Sequence, residues 1–314
     1  MGEQDSAYGI RILSLDGGGP GCFSQLVILD EIMGRIAYDK QLDKKQMKPA
    51  DYFDLIGGAG LGAAAIKELH SLGSKLRMNE SDVLTPKERL EVLKGEITEM
   101  LQRQGISMDV GLQDERALLV ARTTASSSCQ WLSTYSSRQS QVECSVVDAL
   151  SATIALPTLF DPVSIGPEYA ALELNGANLA FNNPTRELLN EAQRVYGDER
   201  QVSVILSLGS GKSKELSIDE YSRTNAIENL LKKLVMSSEA TERDLAHQLY
   251  DVGAYVRLNV EYIYTDIQLH EWNQLSVILA RTQDYLASPS VTRMVDSSIV
   301  GVIEKQRAMT LNQL

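Results

Sequence analysis

Ile12-Leu13-Ser14-Leu15-Asp16-Gly17-Gly18-Gly19-Pro20-Gly21 reads as an apolar strand running into a glycine loop, and an apolar helix is expected from about Cys22 to Ala37. The same construction returns at Phe53-Asp54-Leu55-Ile56, a second expected strand that enters Gly57-Gly58-Ala59-Gly60-Leu61-Gly62. Glycine is chosen where backbone must approach another group closely or turn left-handed, and amides that feed a helix N-terminus can hold an anion or a carbonyl oxygen. Two strand-to-helix turns built almost wholly of glycine therefore mark the end of the sheet where function is expected.

Outward from these turns, short apolar runs alternate with helical patterns. Leu61 to Leu69 is Ala-rich and helical, and Ser71 to Leu84 is a polar connection. Thr85, Pro86 and Glu88 form a capping box with proline at the first helical position, and Leu90, Leu93, Ile97, Met100 and Leu101 follow at helical spacing. Ala117 to Ala121 and Val202 to Leu208 are continuous apolar runs, as expected of strands buried on both faces of a parallel sheet. Gln130 to Tyr135 is a weaker strand, after the serine-rich Ser126 to Ser128. Val146 to Ala155 is helical, Leu172 to Leu174 leads into Asn175-Gly176-Ala177, and Asn183 is placed to cap a helix that Pro184 begins. Beyond Ile227 the chain reads as mostly helical, with Leu230, Leu231, Leu234 and Val235 on one face and a strand at Tyr255 to Val260. This order predicts an α/β fold, a mainly parallel central sheet with helices on both faces. One domain is expected over residues 1–314, its core about 9–211 and a mostly helical part about 212–314.

Composition narrows the classes of function. The chain has 314 residues, 43% hydrophobic and 23% charged, with a net charge of −12, which argues against a nucleic-acid partner. Peripheral contact with an anionic membrane would need a local basic patch such as Lys40, Lys44, Lys45 and Lys48. Cys22, Cys129 and Cys144 cannot all pair and show no metal-ligand spacing, so neither a metal nor another cofactor is expected. The polar stretch Met1 to Tyr8 is no signal peptide and no apolar run approaches 18 residues, so the expectation is a cytoplasmic protein without a transmembrane segment.

The order of parts resembles the patatin-like phospholipase family. Gly58-Ala59-Gly60-Leu61-Gly62 stands where that family has its G-x-S-x-G nucleophile elbow. Asp148 to Phe160 is similar to the family's segment flanking the active site, and Val202 to Gly211 to its strand ending in glycine. The C-terminal stretch Leu269 through Ile303, with Trp272, Leu275, Leu279 and Tyr285, is similar to the last helices of fungal patatin-like proteins. The likeness covers roughly residues 9 to 305, with a shorter region between elbow and third motif than the family has.

The resemblance implies a three-layer patatin-like fold whose glycine loop, through Gly17, Gly18, Gly19 and Gly21, supplies an oxyanion hole. In this chain the loop is one residue shorter before its helix than the family's, and the usual arginine is missing. The resemblance also implies a serine nucleophile and an aspartate base, the latter in a D-G-[GA] motif. The serine position holds Gly60, with Gly58 and Gly62 framing the elbow, and the aspartate position holds Asn175. Glycine has no side chain to attack a carbonyl, and an amide cannot take up a proton. The implied reading is a non-hydrolytic protein that binds a lipid or acyl-type small molecule or plays a regulatory role. The alternatives are an acyl hydrolase whose serine and aspartate have been replaced in this chain, or a cleft turned to other chemistry on a hydrophobic substrate. Ser14, Ser24 and Cys22 lie near enough in sequence to be weighed as substitute nucleophiles. Cys22 is read chiefly as a small buried hydrophobe, and His70, His247 and His270 belong to no motif.

Overall fold

The computed structural model describes residues 8–64, 84–103, 105, 117–125, 128–133, 142, 144–157, 159–177, 181–212, 238–249, 253–261 and 272–313. Strands are β1 Ile10–Leu15, β2 Leu55–Ala59, β3 Ala117–Thr123, β4 Cys129–Ser133, β5 Val163–Ile165, β6 Leu172–Gly176, β7 Gln201–Leu208, β8 Tyr255–Leu258 and β9 Met309–Thr310. Helices are α1 Cys22–Lys40, α2 Gly60–Ala64, α3 Pro86–Arg103, α4 Val146–Ile154, α5 Thr185–Tyr196, α6 Glu239–Gln248, α7 Leu275–Ala287 and α8 Pro289–Glu304.

The nine strands among the described residues join one sheet in the order β5-β6-β3-β2-β1-β7-β8, with β4 also on β3 and β9 also on β7. The centre, β3-β2-β1-β7-β8, is parallel throughout, and the antiparallel pairings lie around it. The expected α/β fold with a mainly parallel sheet and helices on both faces is what the chain forms. β3 differs from its expected setting: parallel β2 and, beyond it, antiparallel β6 lie along one edge, and antiparallel β4 lies along the other. The chain reverses through a short turn between β3 and β4, too short a connection for a parallel crossover.

Strand alternation builds two cores. From β1, Leu13 and Leu15 turn to α1, α7 and α8, together with Val204, Leu206 and Leu208 of β7 and Val256 and Leu258 of β8. Ile10 and Ile12 turn to the opposite face, where Leu188 and Leu189 of α5 and Leu245 of α6 cover them. Each such fully buried aliphatic side chain contributes about 1.5–3 kcal/mol. Helix α1 presents Ile28, Leu29, Ile32, Met33 and Ile36 along one stripe and stops at Gln41 in the left-handed region, φ 54°. A third cluster sets α3 and α4 over Leu119, Ala121 and Leu174, on the same face as α1.

The capping box of α3 forms as expected: Thr85 N and Oγ1 both donate to Glu88 Oε2, at 2.7 and 2.8 Å. Asn183 Oδ1 accepts from Thr185 N at 3.1 Å, but the helix starts at Thr185 with Pro184 at its N-cap and no side-chain cap, so neither the expected Asn183 cap nor a helix begun by Pro184 forms. The second strand sits later than expected. It runs Leu55–Ala59, so Gly57 and Gly58 are sheet residues registered with Ser14 and Leu15 of β1. Ladder hydrogen bonds come from backbone, so flanking strands on both sides hold these glycines extended despite their poor strand propensity. The expectations for residues 65–69, the polar connection up to 83, Ser126, Ser127, His70, His270 and the leucine face at 230–235 lie outside the described residues.

Candidate functional site

The sheet carries its glycine turns at the carboxyl ends of β1 and β2, where open α/β sheets place their ligands. Asp16 opens the first turn and is fully buried. Its amide donates to Leu208 O at 3.0 Å, and its carbonyl accepts from Gln25 Nε2 at 2.9 Å. Its carboxylate meets Arg257 from β8 in a two-pronged pair, Nη1 to Oδ1 at 2.8 Å and Nη2 to Oδ2 at 2.5 Å. Arg257 Nη1 also donates to Ser207 Oγ at 2.7 Å and Nη2 to Ser238 Oγ at 3.3 Å, while Nε lies 3.5 Å from Glu242, itself paired with Lys212. Burial pushes the Asp16 carboxyl above its ordinary value against the pull of Arg257. The charge under the loop is thus held by one guanidinium that is itself almost fully buried.

Past Asp16, the Gly17 amide donates to Asn182 O at 2.7 Å, and Ser210 Oγ donates to Gly17 O at 2.7 Å. Gly17 therefore ties the loop down and offers no free amide. Cys22, Phe23 and Ser24 donate their amides to Gly19, Pro20 and Gly21 carbonyls, closing the first turn of α1. Among the described residues, no protein group accepts from the amides of Gly18, Gly19 or Gly21, although all three residues are buried. Proline 20 has no N–H, and no side chain caps the helix at Gly21.

The second turn is centred on Gly60, which has φ +55°, where an L-residue is strained, and is the first residue of α2. Its amide donates to Thr153 Oγ1 near the end of α4 at 2.9 Å. Gly62 lies against the first turn: a Cβ there would stand 2.0 Å from Asp16 O and 2.8 Å from Gln25 Oε1. The absence of a side chain at Gly62 is what lets the two glycine turns touch.

The asparagine segment closes the group. In the sheet, Ala59 is registered with residue 120 of β3, and residue 122 with Asn175 of β6, so Asn175 shares a face with Ala59. Ala59 and Ala177 pack in one small cluster with Cys129, Trp131 and Phe181 around them. Gly176 N donates to Ala155 O at 2.6 Å, so the end of α4 contacts both the elbow and the Asn-Gly-Ala segment. Asn175 and Asn182 are 6% and 8% exposed, and the Oδ1 atoms of both are buried without a hydrogen-bond partner.

The substitute nucleophiles are engaged elsewhere. Ser14 is buried and hydrogen-bonded to Thr185 Oγ1 at 2.8 Å, and Ser24 Oγ donates to Gly21 O at 2.7 Å. Burial, reinforced by Asp16, pushes the Cys22 thiol up, so the helix N-terminus does not make it a thiolate and the buried-hydrophobe reading fits. Cys129, beside the Ala59 cluster, is pushed up to about 12 by burial and then by Glu187. Burial likewise pushes the Glu187 carboxyl above its ordinary value. His247 is exposed on α6. In the basic patch, Lys44 pairs with Asp30 at 2.7 Å and Lys40 stands 5.6 Å over the Tyr52 ring.

Arg257, Thr153 and Asn182 were not singled out from the sequence as site residues. Arg257 left a signal, a charge inside the apolar strand pattern Tyr255-Val256-Arg257-Leu258. Among the described residues, no group of three or more His, Cys, Asp and Glu side chains is arranged to hold a metal ion, and no helix is long and apolar enough to cross a membrane.

No protein-family model matches the chain, and no curated protein matches it. Among solved structures, the crystal structure of VipD from Legionella pneumophila is similar with a TM-score of 0.44 and 13% identity, over 93% of this chain and 68% of that one. A likeness of that size says nothing of chemistry.

Proposed function

We propose that this is a patatin-like protein that binds an acyl group without hydrolysing it, the glycine loop receiving the carbonyl oxygen. The observation that carries this reading is the contact of the two turns: Gly62 against the Asp16 carbonyl, with Gly60 left-handed beside it. That contact sets an elbow beside the amides of Gly18, Gly19 and Gly21 at the N-terminus of a 19-residue helix, the arrangement that stabilises oxygen bearing negative charge. At the elbow, Gly60 supplies no nucleophile, and Asn175 supplies no base on the face it shares with Ala59. What remains of an acyl-transfer site is its binding half.

The test is a titration of 15N-labelled protein with decanoic acid, methyl decanoate and decanamide, read at the amides of Gly18, Gly19 and Gly21. At least one of the three compounds is expected to shift those resonances, with no decanoate released from the ester. Undisturbed resonances with all three compounds would overturn the reading.

A further inference from the structure

We infer that the ligand of this site is an acyl compound with an N–H or O–H donor beside its carbonyl, an amide in preference to a simple ester. This rests on the acyl-binding reading and specifies its ligand. Among the described residues the loop offers three donors with no acceptor, the amides of Gly18, Gly19 and Gly21. Around it lie two acceptors that find no donor among the described residues, Asn175 Oδ1 and Asn182 Oδ1, in side chains more than nine-tenths buried. Buried polar groups are paired in all but a few instances per domain, so unmatched groups of both kinds in one place call for a ligand with both kinds of partner.

Both asparagines border the site. Asn182 gives its carbonyl to Gly17 N at 2.7 Å, which puts its side chain within one residue of the loop. Asn175 lies on Ala59's face of the sheet, one residue from Gly60, and two residues before the Ala177 that packs on Ala59. Their orphaned state is not general to asparagine in this fold. Asn183, next in the chain, has its Oδ1 filled by Thr185 N at 3.1 Å and Thr185 Oγ1 at 2.6 Å.

An ester carries acceptors only, so it would satisfy the loop amides and leave both asparagine oxygens stranded. A primary or secondary amide supplies a carbonyl oxygen for the loop and an N–H for Asn175 or Asn182. Charge favours the neutral compound over a carboxylate. The Arg257 guanidinium beneath the loop is committed to Asp16 at 2.8 and 2.5 Å, and the chain carries a net charge of −12.

The experiment measures dissociation constants for decanamide and methyl decanoate on the whole protein, followed at the Gly18, Gly19 and Gly21 resonances. Decanamide is expected to bind about tenfold more tightly or better, the discrimination that a buried unpaired acceptor imposes. In Asn175→Leu and Asn182→Leu, at least one variant should lose that preference while its affinity for methyl decanoate holds, with circular dichroism confirming the fold. Equal binding of amide and ester by the unaltered protein overturns the inference and leaves acyl binding standing. Should no decanoyl compound bind, both fall, and that result needs no variant to read.

Discussion

Thr153 Oγ1 accepts the amide hydrogen of Gly60 at 2.9 Å, so a helix 93 residues further along the chain holds the first residue of the elbow turn. The amide of Gly60 is the first donor of α2 and has no intrahelical acceptor. Thr153 supplies one from the far end of α4. Removing that hydroxyl strands a buried N–H. Thr153→Val is expected to lose about 1–3 kcal/mol in chemical denaturation, and Thr153→Ser to recover most of it. Equal losses for the two would assign the effect to the methyl group instead.

Two glycines distinguish close approach from mere composition. Gly62→Ala forces a Cβ to within 2.0 Å of a backbone oxygen, which flexible side chains cannot relieve. A loss of at least about 2 kcal/mol is expected. Gly95→Ala, in the exposed middle of α3 with nothing within 4 Å, is expected to gain about 1 kcal/mol. Urea midpoints of the two variants moving in the same direction would contradict the packing described at Gly62.

Arg257 holds a buried charge in place. Arg257→Met leaves Asp16 ionised in a dry site or forces it to take up a proton, and about 3–5 kcal/mol of stability should be lost. Adding Asp16→Asn to that variant should restore part of the loss, because the two changes act on one interaction. Additive losses in the double variant would show that Asp16 and Arg257 do not depend on each other.

How far this was visible in the sequence follows from the range of the interactions. The individual strand segments and the α3 capping box rest on neighbours a few residues apart, and local pattern shows them. Sequence pattern places β2 about two residues early, because Gly57 and Gly58 favour a turn, whereas strands on both sides keep them extended. Gly60 and Asn175 are singled out by the resemblance of their segments to the family's elbow and D-G-[GA] motifs. The supports around them, Thr153 under Gly60, Arg257 under Asp16 and Asn182 on Gly17, join positions 93, 241 and 165 residues apart. No periodicity or turn chemistry encodes such pairings, although an arginine within a buried strand signals that a partner charge exists.

Glu187 gives the fold a dependence on pH. Burial raises its folded pKa above the ordinary 4.5, against the smaller opposing pulls of its own backbone amide and of Arg186. Its protonated form is the one the fold prefers. Stability is therefore greatest below the unfolded value and is lost as pH rises through the raised folded value. Glu187→Gln should be more stable than the unaltered protein at pH 8, with the advantage shrinking towards pH 5 when thermal midpoints are compared. An advantage that grows as pH falls would reverse the sign and refute the assignment.

On the proposed reading, Gly60 and Asn175 stand at the nucleophile and base positions of the elbow and loop. That placement is tested most directly by Gly60→Ser combined with Asn175→Asp, treated with a fluorophosphonate and read by mass spectrometry of the labelled peptide. A serine at φ +55° costs about 1–2 kcal/mol, which the fold should bear. Labelling is expected at position 60 in the double variant, at least ~10²-fold faster than in Gly60→Ser alone, with no labelling of the unaltered protein. A folded double variant that labels no faster than the single one, or label on the unaltered protein, would contradict that placement.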